Sequence, residues 1–178
     1  MKKTIVTITA VLLTCFCFVS TTFAWLVAKT EPLENTFTAG RIDITLTEET
    51  PRDNKMIPGA DIANDPKVTV VANSEDCWLF VKIVKSTEFD IFMEFAVADG
   101  WTPLDATSDV YYRQVALSDA DQVFGVLKGD KVTVKSSVTM QQVDAITEIP
   151  RLTFIAFAVQ SVGFDTPHDA WLEAARLA

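Results

Sequence analysis

Residues 67–85 read KVTVVANSEDCWLFVKIVK, and the way this stretch divides decides the fold. Lys67 to Ala72 reads as a strand, and Asn73-Ser74-Glu75-Asp76 is a connection of hairpin length. Cys77 to Lys85 then places Cys77, Leu79, Val81 and Ile83 on one side and Trp78, Phe80 and Val84 on the other. A strand that is apolar on both faces belongs in the interior of a layered sheet or beneath a covering segment. The expectation is a layered β protein.

The flanking segments carry the same period of two. Thr36 to Leu46 turns Ile42, Ile44 and Leu46 to one face and Arg41, Asp43 and Thr45 to the other. Glu48 to Lys55 is polar, contains Pro51 and reads as a loop; IPGADIANDP at 57–66 carries the Pro-Gly punctuation of a turn. Val110 to Leu117 and Arg151 to Val159 read as strands, the latter with Pro150 at its start. Lys131 to Met140 alternates most regularly, with Val132, Val134, Val138 and Met140 facing one way. Glu88 to Ala98 reads equally as strand or short helix, since Phe89, Phe92 and Phe95 fall near helical spacing without clear caps. Near the end, Thr166 is an N-cap, Pro167 stands at N1 and Asp169 at N3, which predicts one short helix over about 167–177. About seven or eight strands with turn punctuation and little helix predict an all-β fold, an antiparallel β-sandwich. The pattern alone leaves immunoglobulin-like and jelly-roll connections open.

The amino terminus has a different character. Met1-Lys2-Lys3 precede 25 residues without a charge, Thr4 to Ala28, the form of a positive n-region followed by an apolar h-region. As a signal peptide (1–24), the leader ends in Thr22-Phe23-Ala24 with small residues at the minus-three and minus-one positions, and cleavage falls between Ala24 and Trp25. As a retained anchor the run is long enough, since roughly 20 apolar residues span a bilayer, but its threonines make it a poor one. As a lipoprotein, Leu12-Leu13-Thr14-Cys15 has Thr where a smaller residue is usual. The pattern favours cleavage. Removing 24 of 178 residues leaves 154, and the loss of Lys2 and Lys3 takes the formal net charge from −9 to −11. Such acidity opposes binding to nucleic acid or anionic membranes, so the membrane is met only through the uncleaved leader. Cys15 and Cys17 leave with the leader, Cys77 remains, and no disulfide forms within the mature chain.

Residues that could carry chemistry are scarce. His168 is the single histidine and falls in the expected helix cap, and no H-E-x-x-H occurs. Cys77 sits in an apolar strand, where a thiol acts as a small hydrophobe. Asp99, Asp105 and Asp109, and again Asp119 and Asp121, lack the spacing of an EF-hand and read as solvated loops. Trp78, Trp101, Tyr111 and Tyr112 could form a carbohydrate platform, although Trp78 beside Phe80 reads as core. No Walker or Rossmann glycine pattern is present. The expectation is a non-enzyme with no catalytic residue, no cofactor and no metal site.

Several stretches, in their order, resemble the TasA/camelysin family, secreted Gram-positive proteins whose leader is cut by a dedicated SipW-type signal peptidase. The joint Phe23-Ala24-Trp25 is followed by NTFTAGRIDITL, where Asn35, Phe37, Gly40, Ile42 and Ile44 match the family's opening strand. Within IPGADIANDPKVTVVANSEDCWLFVKI (57–83), Pro58-Gly59, Pro66, Val68, Val70 and Asn73 keep the family's order. YYRQV at 111–115 and FAVQSVGF at 157–164 add a looser match. The resemblance implies a jelly-roll-like sandwich, here residues 36–178, secretion to the extracellular matrix or cell surface, and self-assembly into biofilm-matrix fibres. It also implies a SipW-type signal peptidase as export partner. Residues 25–35 would be an N-terminal arm that pairs as a donor strand with a neighbouring subunit, anchored by Trp25, Leu26 and Val27. Lys29, Glu31, Pro32 and Glu34 follow those anchors, and a proline limits ladder bonding.

Three function classes follow. A structural, self-associating extracellular protein comes first, and a cell-surface module binding carbohydrate or cell wall second. Third stands the metallopeptidase activity that the name camelysin claims, for which one histidine and no zinc motif offer no support.

Overall fold

The computed structural model describes residues 40–49 and 55–177, together with Lys3, Thr4 and Thr9. Residues 39–178 form one compact unit. Its described elements are β1 (Ile44–Thr47), β2 (Asp61–Ala63), β3 (Lys67–Val70), β4 (Cys77–Lys85), α1 (Phe89–Phe92) and β5 (Met93–Glu94). There follow β6 (Thr102–Pro103), β7 (Val110–Val115), β8 (Gln122–Gly125), β9 (Lys131–Val134), α2 (Met140–Asp144), β10 (Leu152–Gln160) and α3 (Pro167–Ala174), then a 3-10 turn, Ala175–Leu177. The fold is all-β, an antiparallel sandwich with a short C-terminal helix.

Three sheets run β1-β3-β8, β2-β9-β5 and β10-β4-β7-β6. The first two are joined. β2 and β3 are one extended run kinked at Asn64-Asp65-Pro66, and they face β9 and β8 in register, Ile62 opposite Val132 and Val68 opposite Phe124. Pro66 has no N–H to give, but its carbonyl accepts from Val126 N at 2.9 Å. Asp65 is buried at the kink, where its carboxylate accepts from Lys67 Nζ at 3.0 Å and from Glu49 N at 3.1 Å. That pairing holds the Lys67 ammonium above its ordinary pKa.

The double apolar face of β4 is explained by what lies on each side. Cys77, Leu79, Val81 and Ile83 meet Val68, Val70 and Val126 of the opposing layer. Phe80 is buried under α3 with Ala170 and Ala174, and Trp78, Phe157 and Trp171 pack around it. Trp171 stands 5.4 Å from both the Phe80 and Phe157 rings. Both readings of that strand thus hold together: it is interior to the sandwich on one face and covered by a helix on the other. The helix begins as its residues dictate, with Thr166 Oγ1 accepting from Asp169 N at 3.2 Å and Pro167 in the first turn.

Three expectations are corrected. Asn73–Asp76 has hairpin length, yet β3 pairs with β1 and β8 while β4 pairs with β10 and β7, so the chain crosses between layers here. Side-by-side pairing would leave the valines of β3 and the inner face of β4 uncovered; stacking buries both. Asn73 makes the turn at φ 61, and the buried Ser74 hydroxyl accepts from Asp43 N at 3.1 Å. Second, the regular alternation at 131–140 ends at Val134, because Thr139 and Gln142 form a reciprocal capping box that starts α2. Val132, Val134 and Val138 remain buried and Met140 is exposed. Third, the opening strand is paired only from Ile44; Ile42 and Ile44 pack on the core, whereas Leu46 is 39 % exposed. Residues 36–39 lie outside the described residues. The two readings left open at 88–98 both hold in turn, the helix α1 followed by β5 and a bridge from Val97 to Leu127.

Candidate functional site: an open strand edge and its groove

Ala24, Trp25, Leu26 and Val27, the cleavage site and arm anchors expected from the sequence, lie outside the described residues. The other chemistry-bearing residues are dispersed. His168 is exposed in the first turn of α3. Cys77 is fully buried, and burial, reinforced by neighbouring Asp76, pushes its thiol up to about 11. Asp99 pairs with Lys128 at 3.4 Å, Asp105 accepts from Thr107 N at 2.9 Å, and Asp121 accepts from Ala72 N at 2.8 Å. These carboxylates tie loops together. Among the described residues, no group of three or more His, Cys, Asp and Glu could hold a metal ion.

The four aromatics do not share a surface. Trp78 and Tyr112 meet edge-on at 5.8 Å on the side covered by α3. Trp101 and Tyr111 pack toward the main core instead.

What sequence reasoning missed is an open side of the sandwich. Among the described residues β10 is an edge strand, partnered only by β4. Hydrogen bonds just beyond its ends, Ser86 N to the Arg151 carbonyl (3.0 Å) and Ser161 N to the Asp76 carbonyl (2.8 Å), fix which residues bond inward. In an antiparallel ladder directly opposed pairs alternate between bonded and non-bonded. Odd-numbered residues of β10 therefore bond β4, and Leu152, Phe154, Ala156, Ala158 and Gln160 turn their N–H and C=O groups outward. The strand LTFIAFAVQ has no charge and no proline, so it lacks the usual protections of a long edge.

The other edge on this side is β1. By the same alternation, with Val71 N bonded to the Asp43 carbonyl at 2.9 Å, Ile44 and Leu46 turn their main chain away from β3. Between β1, β2 and the first half of β10 lies a groove of about 790 Å³. Ile62, Phe89, Met93, Val132, Leu152 and Phe154 line it with apolar surface. Glu48, Asn64 and Arg151 supply polar groups, and Asn64 Oδ1 is buried without a hydrogen-bond partner among the described residues. Chemically, this is a place where an extended apolar segment could gain main-chain hydrogen bonds along β10, bury side chains on the floor and donate to Asn64.

No family model, curated protein or solved structure matches this chain. Among the described residues, no helix is long and apolar enough to cross a membrane.

Proposed function

We propose that this chain is a secreted structural protein, a subunit or accessory component of extracellular, biofilm-matrix fibres that assemble by β-strand addition once a SipW-type signal peptidase has cut the leader. One observation carries the reading: the uncharged nine-residue edge of β10, with five residues turned outward beside an apolar groove. The occupant is the arm of a second copy, residues 25–35, whose Trp25, Leu26 and Val27 are its apolar end. The resemblance to the TasA/camelysin family supports the same order of events, because a leader joined to Trp25 tethers the arm until cleavage frees it.

The chain enters the compact unit at Gly40 and Arg41, where the Arg41 carbonyl accepts from Glu75 N at 3.0 Å. The groove borders the other end of β1, at Leu46 and Thr47. A contact from one pole of a subunit to the opposite pole of the next repeats without closing and generates a filament.

The test compares the secreted, processed protein, its N-terminus sequenced, with a chain lacking residues 25–35. The first forms fibres by electron microscopy and the second stays monomeric. Equal fibre formation by both overturns the donor-arm reading, and a secreted N-terminus other than Trp25 overturns the cleavage site.

A further inference from the structure

On the far side of the sandwich a cation lies without an anion among the described residues. Arg113 of β7 extends between two aromatic rings, with its guanidinium carbon 3.8 Å from the Phe124 centroid and 5.4 Å from that of Trp101. Both rings are held in place. Trp101 is buried and its Nε1 donates to the Gly125 carbonyl at 2.8 Å, while Phe124 sits in β8 opposite Val68. Stacking on aromatic faces fixes the plane of the guanidinium and leaves its in-plane N–H donors free.

Those donors have no partner among the described residues. No carboxylate comes within ion-pair distance, and Nε is buried with no hydrogen bond. The nearest acid in sequence to Trp101, Asp99, is paired with Lys128. Nη1 and Nη2 likewise have no hydrogen-bond partner among the described residues, and Arg113 is only partly buried. Gly100, at φ +89, borders them; a Cβ there would come within 3.3 Å of Nη2, so this edge of the guanidinium is left clear by the absence of a side chain. An unpaired, partly desolvated guanidinium in a rigid aromatic frame is poised for a planar, bidentate acceptor.

We propose that Arg113, framed by Trp101 and Phe124, is a recognition point for a carboxylate brought by another molecule. This inference is independent of the groove and of the fibre reading. Two sources supply that chemistry: an acidic side chain of a second copy, since the chain carries 24 Asp and Glu against 15 Lys and Arg, or a free organic acid. Lowering of the Arg113 pKa by burial agrees with a cation that lacks a counter-charge.

The experiment titrates sodium acetate into the full chain and follows the indole N–H of Trp101 and the Nε–H of Arg113 by nuclear magnetic resonance, with sodium chloride at matched ionic strength as control. Acetate moves both signals to saturation and chloride does not. Arg113→Lys keeps the charge and weakens the response about tenfold, because the bidentate fork is lost. Arg113→Gln abolishes it. Raising the protein concentration without acetate distinguishes the sources: the same shifts, reversed by dilution, assign the carboxylate to a second copy, and their absence assigns it to a free acid. If acetate leaves both signals of the unmodified chain where chloride leaves them, the proposal is overturned and Arg113 is only a packing element.

Discussion

The Nε1 of Trp101 donates a 2.8 Å hydrogen bond to the main-chain carbonyl of Gly125 and thereby ties the segment entering β6 to the end of β8 in the opposing layer. With Arg113 between its ring and that of Phe124, this side of the sandwich is bolted while the β1 and β10 side stays open. Trp101→Phe keeps most of the buried area but orphans the Gly125 carbonyl. It is expected to cost about 1–3 kcal/mol, the range for an unsatisfied buried polar group, read from the shift of the urea midpoint at constant slope.

Trp171 joins α3 to the sheet through the Phe80 and Phe157 rings. Trp171→Ala should destabilise by about 2–4 kcal/mol, at or below the usual loss for a large aromatic because this ring is only half-buried. A dye that reports exposed apolar surface should then bind, since Phe80 loses its cover. Unchanged stability with no dye binding would show that α3 is dispensable to the core.

Proline placed along β10 separates its two rows of N–H groups. At Ala156 the N–H points outward, so Ala156→Pro removes no ladder bond to β4, whereas Ile155→Pro removes one. Ala156→Pro is expected to leave a folded monomer that cannot accept a strand at β10; Ile155→Pro lowers the melting temperature further. Circular dichroism measures the second effect and fibre imaging the first. If fibres formed by Ala156→Pro match those of the unmodified chain, β10 is not the accepting edge.

The Cys77 thiol, raised from an ordinary 9.0 to about 11 by burial, gives an alkaline signature. The folded state holds its proton more tightly than the unfolded state does. The corresponding stability is fully present below pH 9 and is lost as the pH rises from 9 toward 11. Urea midpoints across that window should fall more steeply for the unmodified chain than for Cys77→Ala. At neutral pH, thiol reagents should modify Cys77 only at the rate of unfolding.

Asp61 contributes at the acid end. Hydrogen bonds from Lys131 Nζ and Thr133 Oγ1, each 2.7 Å, lower its pKa from 3.8. Its contribution is present above 3.8 and is lost as the pH falls through the lowered value. Asp61→Asn should flatten the acid limb of the stability profile slightly, because the pair is exposed and screened by salt.

Local chemistry was legible wherever one backbone period or one cap decided the outcome. The two apolar faces of β4 demanded a layer on each side, and the Thr166-Pro167-Asp169 signal placed α3 correctly. Thr139 and Gln142 carried a capping signal that should have outweighed the valine alternation before them, because two reciprocal hydrogen bonds start a helix where alternation only permits a strand. The cleavage site between Ala24 and Trp25 follows from the leader pattern, whereas the arm and its anchors Trp25, Leu26 and Val27 follow only from the family resemblance, and all of them lie outside the described residues.

By itself, the sequence determined the strand-rich class, the two-sided burial of β4, the C-terminal helix and the acidity, because side-chain alternation and capping act over a few residues. Only the tertiary structure decided that Asn73–Asp76 crosses between layers, that β10 is an edge, and that Arg113 lies between Trp101 and Phe124. Those arrangements depend on which apolar faces bury one another across long chain separations. A strand's own residues state which face must be covered, not which neighbour covers it or whether its edge is left open.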